Sequence, residues 1–453
     1  MGYDIAQELL GIRDYEIKKV DDSYDKGKHF KIISLSYSGK IPKVCPVCGS
    51  PLYSHGTRHL LVNDTPLQGC PVVLDIEVPR YRCRNNGEKH VWKPDLYNVD
   101  EKHKMTRRAL LNITERSMRT TFEDTSLDYV MSANTVKNVF VDFLEDNNKN
   151  LRFKTPIFMG IDEIKVKKLG ELTVITDIEH RTMYDILQGR NQKSLTEYFM
   201  NLPDRDKVLW VCSDMYRPFE KSIASAMPNA RWAIDHFHVV MKANEAVDYV
   251  RRELQKVMSD KDRIKTKRGL AYTLKTRLSD LTPEEAEKIK LLRDDGKLYL
   301  LAEAYDLKED FFNIYDDNRT SKENAHKAFE AWEASIPEDE IFDKFRELAA
   351  TVHHFEVQIF QYWDCPIAIS NGYTECTNRL IRENNLRGRG YSFDVLRART
   401  LYRTTNLRAM LENGLVEIGP VIPDDKPVFH FDSTKESEDL DDEDYEPFPD
   451  PED

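Results

Sequence analysis

A chain of 453 residues, 40% hydrophobic and 32% charged, with a mean hydropathy of -0.61, can bury large cores without disulfide staples. It holds no run of about 20 apolar residues such as a membrane-spanning helix needs. The formal charge of -13 argues at first against a polyanionic partner, but twelve acids against one base, Lys435, fall between Asp432 and Asp453, leaving 65 Lys+Arg against 67 Asp+Glu in residues 1–431. The acidity is a tail, expected to be disordered because its Pro-interleaved, apolar-poor composition cannot offset the entropy of ordering. The start, Met1 to Ala6, has neither a basic region followed by an apolar core nor a myristoylation pattern. The expectation is a cytoplasmic, nucleoid-associated protein with no membrane partner.

Residues 1–98 are assigned to a zinc-binding N-terminal domain. Seven cysteines (45, 48, 70, 83, 212, 365 and 376) without a secretion signal do not form a disulfide framework. Cys45-Pro46-Val47-Cys48-Gly49 spaces two thiolates as a zinc knuckle does, and Gly49 permits the tight turn beneath the ion. One such pair is a half-site. Cys83, after the strand-like Val72 to Val78, and His90, seven residues on, complete a Cys3His set, with Cys70 or His55 as alternatives to His90. Four protein ligands leave no open position, so Zn2+ here is structural.

Residues 99–150 read as a helix-turn-helix DNA-binding domain. Lys102, Lys104, Arg107, Arg108, Arg116 and Arg119 make the stretch basic. A helix over Phe122 to Val130 is followed by a turn and a second helix that Ser132 or Asn134 can cap. Val136, Val139, Phe140 and Phe143 recur at helical spacing and form one apolar face. Thr135, Lys137 and Asn138 point elsewhere and are candidate DNA contacts. Ordinary packing of two helices is the competing reading.

Residues 151–240 read as the first part of a mixed α+β core. Short apolar runs at 157–161, 172–176 and 183–187, joined by tight turns, predict an antiparallel meander. A helix follows, with Ser194 and Glu197 in capping-box positions, then strands over Val208 to Cys212 and Arg231 to Ile234 separated by an amphipathic segment. The order βββαβαβ is that of ribonuclease H-like folds. Asp162 lies within or just past the first strand and Asp214 directly follows the fourth. Two carboxylates held together there repel unless a cation neutralises them, although a single aspartate after a strand often only caps a turn.

Residues 241–355 are rich in Lys, Glu, Leu and Ala at helical spacing and read as a helical insertion. Within it, residues 251–270 carry eight bases against three acids. The core resumes over 356–420, where a helix starting near Asn371 sets Glu375, Arg379 and Arg382 on one face. Residues 371–410 carry eight Arg, including Arg387 and Arg389, against three acids. One acid inside a basic, aromatic-interleaved segment suits a metal ligand beside a phosphate backbone. Residues 421–453 hold the tail.

Asp162 in Gly160-Ile161-Asp162-Glu163, Asp214 in Cys212-Ser213-Asp214-Met215, the segment Asp235 to Val240, and Asn371-Gly372 through Glu375 to Asn378 together resemble a DDE transposase, and more narrowly the ISL-three family of bacterial insertion-sequence transposases. The resemblance covers roughly residues 40–415. The irregular Cys83 to His90 half-site and the acidic tail depart from the family pattern.

The resemblance implies a ribonuclease H-like catalytic core interrupted by a helical insertion, behind zinc-binding and helix-turn-helix segments. It assigns Asp162, Asp214 and Glu375 to a catalytic triad holding two Mg2+ (or Mn2+) ions for displacement at phosphorus. Asp235 and His238 are candidate active-site support, against a structural pair orienting the next helix. Arg379, Arg382, Arg387 and Arg389 are expected on DNA. The implied partners are double-stranded DNA, as transposon ends and target, and further copies of the chain in a homodimer or larger assembly. The rival function is a non-catalytic zinc and helix-turn-helix DNA-binding protein derived from a transposase.

Overall fold

The computed structural model describes residues 12–25, 27–83, 90–259, 263, 268–296, 298–318 and 321–418. The acidic tail lies outside the described residues, as do most of the predicted basic positions between 260 and 268.

The N-terminal part is a seven-stranded sheet built from β1 (Tyr15–Asp25), β2 (Lys28–Tyr37), β3 (Leu52–Leu67), β4 (Cys70–Cys83), β5 (Val91–Trp92), β6 (Val99–Asp100) and β7 (Met105–Thr106). Its order is β1-β2-β4-β3-β7-β6, with β5 on β4. Strands β3 and β4 form a long antiparallel hairpin around Gln68 and Gly69, both at positive φ, the backbone a tight hairpin turn requires. Period-two alternation buries Ile33, Leu35, Leu60, Val62, Leu74, Ile76 and Val78 in one apolar layer. Only the Val72 to Val78 strand was expected, because β1 reads Glu-Ile-Lys-Lys-Val-Asp-Asp and stays largely exposed.

Three helices follow: α1 (Arg107–Arg119), α2 (Phe122–Ser126) and α3 (Ala133–Asn150). Thr106, Thr121 and Ser132 cap them, each side chain accepting a backbone N–H of the first turn. The helix expected to reach Val130 stops at Ser126, and turns lead to Ser132. The second helix starts at Ala133, with Val136, Val139 and Phe140 buried and Lys137 and Asn138 exposed. Asp64 of β3 is buried and held by Arg108 and by Thr106 (2.6 Å), which locks α1 to the sheet. Removing one partner of such a pair costs about 3–5 kcal/mol, because the other charge is left buried.

After β8 (Leu151–Phe153) comes a five-stranded mixed sheet of β9 (Phe158–Val166), β10 (Gly170–Asp177), β11 (Thr182–Gln188), β12 (Trp210–Ser213) and β13 (Arg231–Ile234). The spatial order is β11-β10-β9-β12-β13, antiparallel among the first three and parallel from β9 to β13. Helices α4 (Gln192–Met200) and α5 (Arg217–Ala226) are the crossovers, and α6 (His236–Val257) leaves β13. The predicted capping box at Ser194 and Glu197 is corrected: Asn191 is the N-cap of α4, accepting from the Ser194 N–H at 2.9 Å. An Asx side chain before the first turn reaches that donor without help from Glu197.

The helical segment contains α7 (Arg268–Thr273), α8 (Pro283–Asp294), α9 (Tyr299–Asp317), α10 (Lys322–Ala334), α11 (Asp343–His354) and α12 (Glu356–Phe360). The chain returns through α13 (Gly372–Arg387), α14 (Phe393–Leu401), α15 (Thr404–Glu412) and β14 (Val416–Ile418), which pairs with β8.

The sheet has two packed faces. Met159, Ile161 and Ile175 belong to a core that continues through Phe219 and Val239 into Leu301, Phe311, Phe345 and Phe360, so the helical segment shares one apolar interior with the sheet. On the other face Ile164, Val166, Leu172 and Val174 pack with Phe140 of α3 and with Ile381, Val395 and Leu396 of α13 and α14. Among the described residues no helix is long and apolar enough to cross a membrane.

Candidate active site and metal centre

Strand register sets the site. Cys212 of β12 pairs in parallel with Gly160 of β9 and with Ala233 of β13. Two residues on from these paired positions stand Asp162, on the same face of β9 as Gly160 by period-two alternation, and Asp214 and Asp235, each directly after the last residue of its strand. Helix α13 lies across that face. Asn371 donates to the Ile161 carbonyl (2.9 Å), the Thr374 and Thr176 hydroxyls meet at 2.7 Å, and Asn378 donates to Asp162 Oδ2 (2.6 Å). Gly160 makes the approach possible, since a Cβ there would lie 2.6 to 2.8 Å from Thr176, Asn371 and Thr374.

Glu375, in the first turn of α13, groups with Asp235 and His238, their ligand atoms all within 4.8 Å of one another. His238 Nε2 is 4.0 Å from Glu375 Oε1. Neither Asp162 nor Asp214 belongs to that closest group. Asp162 is engaged by Asn378 and by the Glu163 N–H (2.8 Å). Asp235, fully buried, also caps α6 through the Phe237 N–H (3.4 Å), so the segment read as orienting the next helix does so and faces the acids as well.

The electrostatics are those of crowded, partly buried acids. Burial, then Glu163 and Asp162, push the Asp214 carboxyl up to about 6, while His238 opposes the shift. Burial also raises Asp162, and burial followed by Asp235 raises Glu375. Asp214 Oδ1, Asp235 Oδ2, His238 Nε2 and Glu163 Oε1 are buried and lack a hydrogen-bond partner. Unsatisfied acceptors at such density are costly, and a divalent cation is the group that satisfies several at once. The donor set therefore fits hard cations. Glu163, whose other oxygen accepts from Arg190 at 2.5 Å, was passed over in the sequence, where it reads as a neighbour of Asp162.

The N-terminal sheet ends in the second cluster. Cys45, Cys48, Cys83 and His90 bring their ligand atoms within 4.8 Å of one another, with Cys48 Sγ to Cys83 Sγ at 3.6 Å and Cys83 Sγ to His90 Nδ1 at 3.5 Å. Gly49 takes a φ of 70° and donates to the Cys45 carbonyl, closing the knuckle. Hydrogen bonds from Ser50, then one from His90, pull the Cys48 thiol down to about 6, while burial raises Cys83. The alternatives to His90 lie elsewhere: Cys70 sits 3.6 Å from His29 and His55 is exposed on β3. The set fits tetrahedral zinc.

Of the expected DNA contacts, Lys137, Asn138, Arg379, Arg382, Arg387 and Arg389 are exposed and Thr135 is half-buried. The wider basic segments are partly structural. Arg399 is buried against Tyr391 and donates to the Thr120 carbonyl (2.6 Å), and Arg397 pairs with Asp185 (2.6 Å). Arg251 and Arg252 share Asp248, Lys256 pairs with Glu253, and Lys102 pairs with Asp142. Local charge counts cannot tell these pairs from open phosphate sites.

The profile of a family described as transposase matches residues 159–400, more than half the chain, and the chain belongs to that class. The family is the ISL3 transposases, and a second profile, described as zinc-finger of transposase IS204/IS1001/IS1096/IS1165, matches residues 41–86. Among curated relatives the chain is similar to the transposase for insertion sequence element IS1001 of Bordetella parapertussis, 25% identical over 256 residues, 54% of this chain and 61% of the relative. It is also similar to the transposase for insertion sequence element IS1557 of Mycobacterium tuberculosis, 24% identical over 340 residues, 69% of this chain and 73% of the relative. The chain thus spans less than two thirds of the first relative's length.

Proposed function

We propose that the protein binds the inverted-repeat ends of a mobile element and cuts and rejoins DNA at the acidic cleft. The observation that carries this is the strand register that sets Asp162, Asp214 and Asp235 side by side under the helix bearing Glu375. The sheet order β11-β10-β9-β12-β13, interrupted before its last helix by the helical segment, supports a ribonuclease H-like reading of the core. Asp162, Asp214 and Glu375 are assigned as the ligands of two Mg2+ ions, with Asp235 and His238 at their edge. Bound there, the cations would lower the pKa of an attacking water and stabilise the leaving 3'-oxygen.

The chain's own residues do the rest. Asn378 fixes the Asp162 carboxylate, so its free lone pairs face the cleft. His238, within 4.0 Å of Glu375, is placed to hold a proton or a phosphate oxygen beside that carboxylate. Exposed Arg379 and Arg382 on the same helix receive the DNA backbone, and the capped α3 presents Lys137 and Asn138 to a groove as the second helix of a helix-turn-helix does. Zinc at Cys45, Cys48, Cys83 and His90 ties the knuckle to the end of β4 and is structural. Two ends must be brought together for joining, so we assign a homodimer or larger assembly on DNA, acting in the cytoplasm at the nucleoid.

The test is a plasmid carrying the coding sequence with its flanks, incubated with full-length protein and Mg2+. Strand breaks at flanking inverted repeats are expected from the wild type. They are lost in Asp162→Asn, Asp214→Asn and Glu375→Gln, while gel-shift affinity for the repeats stays within a few-fold. Binding without any cleavage by the wild type contradicts the reading and favours a DNA-binding protein without catalysis.

A further inference from the structure

Arginines that look alike in the sequence divide in the structure. Arg397 and Arg399 are engaged by Asp185, Tyr391 and the Thr120 carbonyl. Arg403 is exposed, and so is Arg181 in the turn between β10 and β11; among the described residues neither has an ion pair or a side-chain hydrogen bond. Both line one pocket of about 250 Å³. Arg181 has a φ of 52°, the left-handed region where a hairpin turn ordinarily places Gly or Asn. Arg403 is the N-cap of α15 and supplies no acceptor, so the first turn of that helix, with Thr405 in the pocket wall, lacks a side-chain cap. The third wall is α13. Tyr373 and Glu375, two residues apart and so about 200° apart round the helix, serve opposite sides of its first turn: Glu375 stands in the acidic group, Tyr373 in the pocket. Burial raises the Tyr373 phenol, and Arg403 is among the groups that oppose the shift, so its charge is felt at that ring. Met183 and Leu380 give the pocket apolar lining.

We propose that this pocket holds one backbone phosphate of the DNA strand that enters the acidic cleft, about three nucleotides from the phosphate under attack. The inference rests on the proposed cleavage at the cleft and adds a separate anchor for the strand. The ligand class follows from the donors. Two guanidinium groups brought from distant parts of the chain, with no acid between them, form a charged fork suited to phosphate oxygens. The uncapped first turn of α15 adds favourable partial charge beside them. The sugar next to the phosphate rests on Met183 and Leu380. The spacing follows from the helix: cleft and pocket flank α13, a helix is about 10–12 Å thick, and a strand rises about 3.4 Å per nucleotide.

The experiment uses full-length protein with Arg181→Ala and Arg403→Ala, singly and together. Affinity for end duplexes from the flanking repeats is measured against salt without divalent metal, which separates binding from cleavage. The duplexes are intact or carry a single neutral methylphosphonate stepped along each strand. In the wild type, one position about two to four nucleotides from the cut should cost about tenfold in affinity, as loss of a charge-assisted contact does. In the double variant that same position should become silent, and the slope of log affinity against log salt should fall by about one. The melting temperature should not change, since both side chains are exposed. An unchanged salt slope in the double variant, or a methylphosphonate profile identical to the wild type's, would overturn the inference while leaving cleavage at the cleft in place. A double variant that binds the repeats more tightly would show that the arginines hold an acidic protein segment in place of DNA, and would overturn it as well. Absence of cleavage by the wild type in Mg2+ would instead overturn the function reading, and the strand path that this anchor serves.

Discussion

At the scale of single residues, two positions carry sharp expectations. Gly160 faces α13, and any Cβ there meets Asn371 and Thr374 at less than 3 Å. Gly160→Ala should therefore lift α13 from the sheet, costing about 1–3 kcal/mol as overpacking does and reducing cleavage more than DNA binding, which chemical denaturation and gel shift can check together. Asp214 makes the second. Its carboxyl is raised from an ordinary 3.8 to about 6 in the fold. A raised folded value means the group favours folding while protonated, a contribution fully present below about pH 4 and lost as pH rises through 6. The metal-free protein should then gain stability as pH falls from 7 toward 5. Asp214→Asn, which removes the buried charge, should raise its melting temperature at pH 7 by roughly 2–4 °C while abolishing activity. A lower melting temperature for that variant in EDTA would show that the acids are not mutually strained.

Among the elements, the places of Asp162, Asp214 and Glu375, within a strand, just after a strand and in the first turn of a helix, were readable from short-period patterns, while their grouping as a triad came from the family resemblance and is part of the proposed function. The companions Glu163 and Gly160 were not readable, since their roles depend on which strand lies beside β9 and on how closely α13 approaches. Strand β1 was missed because a solvated edge strand has few apolar residues to alternate; β2 was missed although it lies inside the sheet and buries Phe30, Ile33 and Leu35. The basic runs misled in the other direction, as buried Arg399 and paired Arg397 resemble free phosphate ligands until their partners are seen. The zinc knuckle is tested by removing its metal. Removal of the metal with a chelator should expose the 41–90 region to proteolysis and leave the β9 to β13 sheet protected, with about one zinc per chain before treatment. No zinc by metal analysis in a fully protected chain would remove the ion from the account. Replacing exposed Lys137 and Asn138 by Ala should weaken end binding without changing the melting temperature, because neither side chain is packed.

Over the whole molecule, the helical segment is no appended module. One apolar interior runs from Met159 and Ile161 of the sheet through Val247 and Phe311 to Phe360, so sheet and helices stabilise each other. Amides of α9 and of β9 should exchange with solvent in the same slow class, opening together in a shared unfolding step; much faster exchange in α9 would split them into separate units. The same continuity explains how Glu375 reaches the strand ends after a 160-residue detour. The helices fill the back of the sheet and return the chain to its opposite face, where Asn371 meets the Ile161 carbonyl. The near-neutral charge of residues 1–431 is consistent with this architecture, in which many bases serve internal pairs.

The proposed function turns on the acids around Asp162, Asp214 and Glu375 holding the cations that act on DNA. Its most direct measurement replaces Glu375 by Cys and compares cleavage of the flanking repeats in Mg2+ and in Mn2+, which accepts a thiolate more readily. No cleavage in Mg2+ is expected, with a recovery in Mn2+ well beyond any stimulation of the wild type. Full activity of Glu375→Cys in Mg2+, or equal loss in both metals beside an active Glu375→Ala, would contradict it.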